Sequence, residues 1–161
     1  MKRHESLHPL SQHHHFALIQ AWEVRQAKAK PAAQRAAALR KVAEKFLRFW
    51  EKTGRQHFRE EEEVLLPAYA RHVRLDEDAD VMRMLAEHAA MRALVQQIEQ
   101  VLAAGRPVGD ETVALGRILH DHVRLEENKI FPRIEATLGE EEMRATGQRL
   151  TRLHPKEKSE V

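Results

Sequence analysis

Apolar residues recur three and four positions apart along most of the chain, and Pro9, Pro31, Pro67, Pro107, Pro132 and Pro155 punctuate the pattern. This periodicity predicts four long helices. The first runs from about Leu10 to Lys28 and the second from about Ala32 to Tyr69, with Gly54 a local irregularity in its middle. The third runs from about Ala79 to Ala103, closed by Gly105 and Pro107. Asp110 is the expected N-cap of the fourth, which extends to about Thr137, with Pro132 expected to kink or end its last turns. A short fifth helix over Glu140 to Arg152 follows, and the terminal HPKEKSEV is polar and expected to fray. Connections of about two to eight residues turn neighbouring helices antiparallel. The expected fold is therefore all-α, an up-down-up-down four-helix bundle with a short C-terminal fifth helix. No Gly/Ser-rich linker divides the chain, so one domain is expected over 1–161, with the bundle core at about 10–137 and the short helix and tail over 138–161.

Composition narrows the chemistry. The chain has no cysteine, which excludes disulfides, thiolate metal sites and cysteine nucleophiles and is compatible with a reducing cytoplasm, the expected location. There is no apolar h-region and no uncharged run of membrane-spanning length, so no membrane partner is expected. The formal charge is only +2, although Arg25 to Arg59 is locally basic. Those cations interleave with Ala, Leu and Phe at helical spacing, which describes a solvated helix face and disfavours a nucleic-acid partner. The eleven histidines are the larger anomaly.

On the fourth predicted helix Leu115, Ile118, Leu119, Leu125, Ile130 and Ile134 form one stripe, and His122 and Glu126 fall within it; His120 does not. On the second, Phe46, Phe49, Trp50, Val64 and Ala68 continue the stripe that carries His57 and Glu61. Either pair alone reads as a buried His–Glu hydrogen bond. Helix three adds His88 in the middle of the stripe Val81, Leu85, Val95, Ile98, Leu102, and helix one centres its apolar stripe on His14, with His13 and His15 toward the edges.

Four imidazoles and two carboxylates converging in one bundle interior form a metal-site inventory. Nitrogen and oxygen donors without sulfur suit iron, with manganese or zinc as alternatives, and the number of ligands suits two ions. Two six-coordinate ions have about twelve positions, of which two bridging carboxylates take about four, the imidazoles about four and a bridging oxo or hydroxo group about two. About two positions then stay open for a small molecule.

Read in order, these residues resemble the hemerythrin family, specifically its bacterial HHE cation-binding domains. The segments that carry the resemblance are LSQHHHFAL around His14, HFREEEEVLLP with His57 and Glu61, MLAEHAAMRAL with His88, and HVRLEENKIFP with His122 and Glu126. It covers essentially Leu10 to Glu135 and implies a four-helix bundle with a non-haem di-iron centre. Hemerythrin proper has a further histidine one turn along the third helix, where this chain has Arg92, so reversible oxygen carriage does not transfer with the resemblance. Ferritin-like di-iron proteins fit less well, since they use Glu-x-x-His and a carboxylate on every helix.

The repeated Glu-Glu needs sorting. Glu61 and Glu126, at i+4 from their histidines, lie about 40° away around the helix, whereas Glu62 and Glu127 at i+5 lie about 140° away. The i+4 residues are the expected ligands; the i+5 residues are expected to be solvated or to stand behind the ligands. Glu60 and Glu87 read as surface residues that could fill an open coordination position, Arg92 as a surface residue that could place a charge behind the ligands, and Tyr69 as a packing residue. The leading expectation is a non-haem di-iron protein that binds or senses dioxygen, nitric oxide or peroxide. The alternative is a di-iron enzyme acting on peroxide, catalase-like or oxidase-like, and a basic-helix interaction module ranks below both. Oligomeric state is left open.

Overall fold

Pro9 lies in the first turn of α1, where a missing N–H leaves no hydrogen bond unmade, and the helix spans His8–Lys28 after a 3-10 turn at Glu5–Leu7. The computed structural model describes residues 2–153. The second helix, α2 (residues 32–70), is a contiguous series: Ala32–Phe49, a π-helical turn Trp50–Gly54, Arg55–Glu60, a second π turn Glu61–Leu65, and Leu66–Ala70. The third, α3, is Ala79–Ala103. The fourth, α4 (residues 109–153), comprises Gly109–Leu125, a π turn Glu126–Ile130 and Phe131–Leu153, with a break at Gly139. The expected tail HPKEKSEV lies outside the described residues.

The four helices pack as a bundle, α1 lying against α2 and the first part of α4, and α3 against α4. Gly116 permits the close approach of α1 to α4, since a Cβ there would lie 2.7 Å from Val24 Cγ1. Gly105 closes α3 with φ 68°, as its place in the sequence predicts. Gly139, with φ 71° and ψ 179°, breaks α4, and beyond it Met143, Thr146 and Leu150 are buried. No helix among the described residues is long and apolar enough to cross a membrane.

Two of the expected boundaries differ. Pro132, expected to kink or end the fourth helix, does not end it, and the second helix runs past Pro67 as expected, because a π turn precedes each proline. In these turns Leu66 N–H donates to the Glu61 carbonyl and Phe131 N–H to the Glu126 carbonyl, one residue further back than in an α-helix. The next donor in the series would be proline, which has none; Arg3 fills the gap at the second site, its guanidinium lying 2.7 Å from the Glu127 carbonyl. Asp110 is not the N-cap of α4. Val108 occupies that position without a side-chain cap, and Asp110 lies in the first turn, where its charge still opposes the helix dipole.

A cap that the periodicity did not mark is Asp78, which accepts from the N–H groups of Asp80 at 3.1 Å and Val81 at 3.2 Å. Arg133 clamps it at 2.6 Å, and Tyr69, buried as a packing residue, donates to it at 3.3 Å. Although its partial burial works the other way, contacts with Arg133 and the α3 amides hold the Asp78 carboxyl below the usual range. Its stabilisation is therefore present above the unfolded-state value and lost as acid brings pH down through the folded one. We expect Asp78→Ala to lower stability by about 1–2 kcal/mol near neutrality, measured by chemical denaturation, and to flatten the acid limb of the stability curve.

Along every helix the inward polar residues fall between two apolar groups. One contains Leu10, Leu65, Met84 and Phe131; the other contains Ala17, Phe58, Met91 and Leu119. The polar layer between them is the candidate site.

Candidate metal centre

His14 on α1, His57 and Glu61 on α2, His88 on α3 and His122 and Glu126 on α4 come together, all buried. They form two overlapping groups. His14, His57, Glu61 and Glu126 make one, and His88, His122, Glu61 and Glu126 the other, each with its ligand-type atoms within 4.8 Å of one another. Glu61 Oε1 lies 3.0 Å from His57 Nε2, while its Oε2 lies 3.2 Å from His88 Nε2. Glu126 Oε2 lies 2.8 Å from His14 Nε2, while its Oε1 lies 2.9 Å from His122 Nε2. Each carboxylate thus turns one oxygen toward each group.

These short distances do not make ordinary hydrogen bonds. All four oxygens of Glu61 and Glu126 are buried without a hydrogen-bond partner of acceptable geometry. The Nε2 atoms of His14 and His57 are 2.9 Å apart, and those of His88 and His122 are 3.1 Å apart. Ligand atoms at right angles around an ion with bonds of about 2.1 Å would be about 3.0 Å apart. Two buried carboxylates with only imidazoles around them are costly to keep ionised, and a cation within each group would offset that cost. The residues present fit a buried metal site.

The far side of three of the four imidazoles is held by a carboxylate as well. His14 Nδ1 donates to Glu127 at 2.6 Å, His88 Nδ1 to Glu62 at 2.7 Å and His122 Nδ1 to Glu87 at 2.9 Å. An ionised carboxylate can only accept, so each of these Nδ1 atoms carries a proton, which leaves Nε2 as the nitrogen that would bind a metal. Burial disfavours the charge on Glu62 and Glu127, yet His88 and Arg92 bring the first down to about 2, and His14, Ser11 and Arg3 bring the second down to about 2. Burial likewise opposes charge on His88, but Glu126, Glu61 and Glu62 outweigh it and push its value up to about 11.

The second Glu of each repeated pair therefore has a purpose. The i+5 offset turns it away from its own helix's centre and onto the histidine of a neighbouring helix: Glu62 of α2 reaches α3, and Glu127 of α4 reaches α1. Arg92 does not face the centre. Its guanidinium grips Glu62 at 2.8 and 3.0 Å and lies over the Phe58 ring, 5.3 Å from its centroid. Phe58 itself stacks on His88 with centroids 3.7 Å apart. Trp50 packs edge-on against Phe58, and Gly54 leaves it room, since a Cβ there would be 2.7 Å from the indole. Glu87, also paired with Arg83, is tied to the site through His122. His15 is exposed and His120, bonded to Asp121, stays outside the cluster, as the helical stripe predicts. His13 is half-buried, with its Nδ1 3.2 Å from that of His57 and 3.8 Å from Glu60. Glu60 is fully buried, and burial pushes its carboxyl up to about 7, with the neighbouring Glu61 charge adding to the rise.

Losing one of these outer carboxylates should loosen the centre without abolishing it. Glu127→Ala is expected to weaken metal affinity by about 10–100-fold. The exposed Glu63, paired with Arg59, is the control whose replacement by Ala leaves affinity unchanged in the same competition titration.

Comparison with known proteins agrees with this arrangement. No curated protein and no solved structure is significantly similar to the chain. The sequence profile of the hemerythrin HHE cation-binding domain, however, matches residues 7–134, the stretch that supplies every member of the two overlapping groups. The chain belongs to the hemerythrin HHE cation-binding domain family.

Proposed function

We propose that the protein is a non-haem di-iron protein that binds or senses a small oxidant or gas, with His14, His57, Glu61, His88, His122 and Glu126 as the metal ligands. The observation that carries this reading is the division of each carboxylate between two imidazole pairs, an arrangement suited to two bridged ions. Iron bound there would supply reversible electron transfer and Lewis acidity, with manganese or zinc filling the same donor set less specifically. The chain's own residues fix the imidazoles through Glu127, Glu62 and Glu87 and keep bulk water out through Phe58, Phe131 and Met91.

Ligand size is limited by the surroundings. Beside the centre lies a small, largely apolar cavity of about 20 Å³, bordered by His14, His57, His122, Phe49, Phe58 and Met91. A space of that size admits about one water-sized molecule, which suits a diatomic or peroxide and leaves no room for a larger organic substrate. We take the whole chain, 1–161, as one domain built around this centre. Its helices follow an up-down-up-down order set by the short connections, with the segment after Gly139 as a short fifth helix.

Adding azide, nitric oxide or peroxide in turn to iron-loaded protein tests the reading. At least one should shift the near-ultraviolet and visible absorption of the centre saturably, and the shift should be absent in His88→Ala. A spectrum indifferent to all three would refute small-ligand binding. Steady oxygen evolution from peroxide would favour the enzyme alternative.

A further inference from the structure

His57 differs from the three other histidines of the centre. Each of those has a carboxylate on Nδ1, whereas the Nδ1 of His57 faces another imidazole, that of His13, at 3.2 Å. Glu60 Oε2 lies 3.8 Å from the same His13 nitrogen, and one ligand-type atom from each of His13, His57 and Glu60 lies within 4.8 Å of the other two. Glu60 also forms part of the wall of a cavity of about 500 Å³ between the N-terminal turn and the helical segment beyond Gly139, bordered by Ser6, Pro9, Gln148 and Thr151.

We propose that His13, Glu60 and the Nδ1 of His57 form an accessory site for a third divalent transition-metal ion, beside the dinuclear centre and reached through this cavity.

Three physical arguments support it. First, the spacing fits: donor atoms around one ion with bonds of about 2.1 Å lie about 3.0 Å apart at right angles and about 3.4 Å apart in a tetrahedron. The 3.2 and 3.8 Å separations need only small side-chain adjustments to meet this. Second, two imidazoles and one carboxylate are the donor types that first-row divalent ions prefer, and water from the cavity can complete the coordination. Third, an ion has a way in, since His13 is only partly buried and Glu60 borders the larger cavity. Arg144, the one cation among the described residues on that cavity's wall, is already paired with Glu140 at 2.8 Å and so opposes an incoming cation less. On binding, the ion replaces the proton between the two Nδ1 atoms, the proton leaves to solvent, and the His57 ring joins the accessory ion to the centre. The accessory site rests on the dinuclear reading only for that last link.

The test is an anaerobic titration of metal-stripped protein with Co²⁺, followed by calorimetry and visible absorption. The native chain should bind about three equivalents, two tightly and one more weakly. His13→Ala, His13→Gln and Glu60→Gln should each bind about two, with the tight phase kept and circular dichroism unchanged. His88→Ala should disrupt the tight phase and retain the ion that depends on His13. Saturation of the native chain at two, or a third equivalent that persists in all three variants, would overturn the accessory site. A single ion that is lost with His13→Ala but kept in His88→Ala would instead sustain it and overturn the dinuclear reading.

Discussion

Removing the metal from the purified protein should lower its thermal unfolding midpoint by about 8–16 °C. Ions present at a thousand times their dissociation constant stabilise the folded state by about 4 kcal/mol, and about 2–4 °C per kcal/mol is usual for a chain of this length. The drop should depend on pH in a defined direction. Without metal, burial opposes charge on His14, His88 and His122, yet the surrounding carboxylates outweigh it and raise all three above the usual histidine value. Groups raised on folding contribute stability that is fully present below about 6.5, and it is lost as pH rises through their folded values. Burial disfavours ionised Glu61 and Glu126, but the histidines hold both carboxyls low, so their contribution is present above about 4.3 and fades as pH falls toward the folded values. The metal-free chain should therefore be most stable between about pH 4.3 and 6.5. Metal binding needs neutral imidazole, so the stabilisation gained on loading should grow from pH 6 to pH 8. Differential scanning calorimetry of loaded and stripped protein at several pH values measures both quantities. A midpoint unaffected by chelation at pH 8 would contradict the account.

The second large effect concerns Glu126. Because its two oxygens face different imidazole pairs, Glu126→Ala removes one donor from each ion at once. Metal content should fall from about two equivalents to below about half an equivalent per chain, with both ions lost together. The Glu127→Ala variant, one residue away, keeps both ions and only weakens them. If the two variants behaved alike, the separation of bridging ligand from supporting carboxylate would be wrong.

The inward histidines were legible from sequence because helical periodicity alone decides which face a residue occupies. His14, His57, His88 and His122 each sit in an apolar stripe, and His120 and His15 do not. Glu61 and Glu126 followed from the i+4 offset. The roles of Glu62, Glu87, Glu127 and Arg92 did not follow, because each acts on a residue of another helix, and a single-helix wheel says where a side chain leaves its own helix but not what stands opposite. The spacing did carry a usable signal: the i+5 Glu was written twice, at a fixed angle from the ligand, where a merely solvated residue would be free to vary. One proline misled in the other direction. Pro132 read as a kink or an end of its helix, but the π turn before it lets the helix continue, as the one before Pro67 also does. Asp110 looked like a cap because it is the right residue type near the right place, whereas the helix begins at Gly109, two residues after Pro107, with Val108 at the cap.

Metal analysis by mass spectrometry on untagged, aerobically iron-loaded protein, paired with its absorption spectrum, tests the central claim most directly. The absence of a tag matters because His13, His14 and His15 already form a histidine run beside the site. The account predicts about two irons per chain with a near-ultraviolet iron absorption that responds to azide. Less than about half an equivalent of any transition metal under these conditions would contradict it.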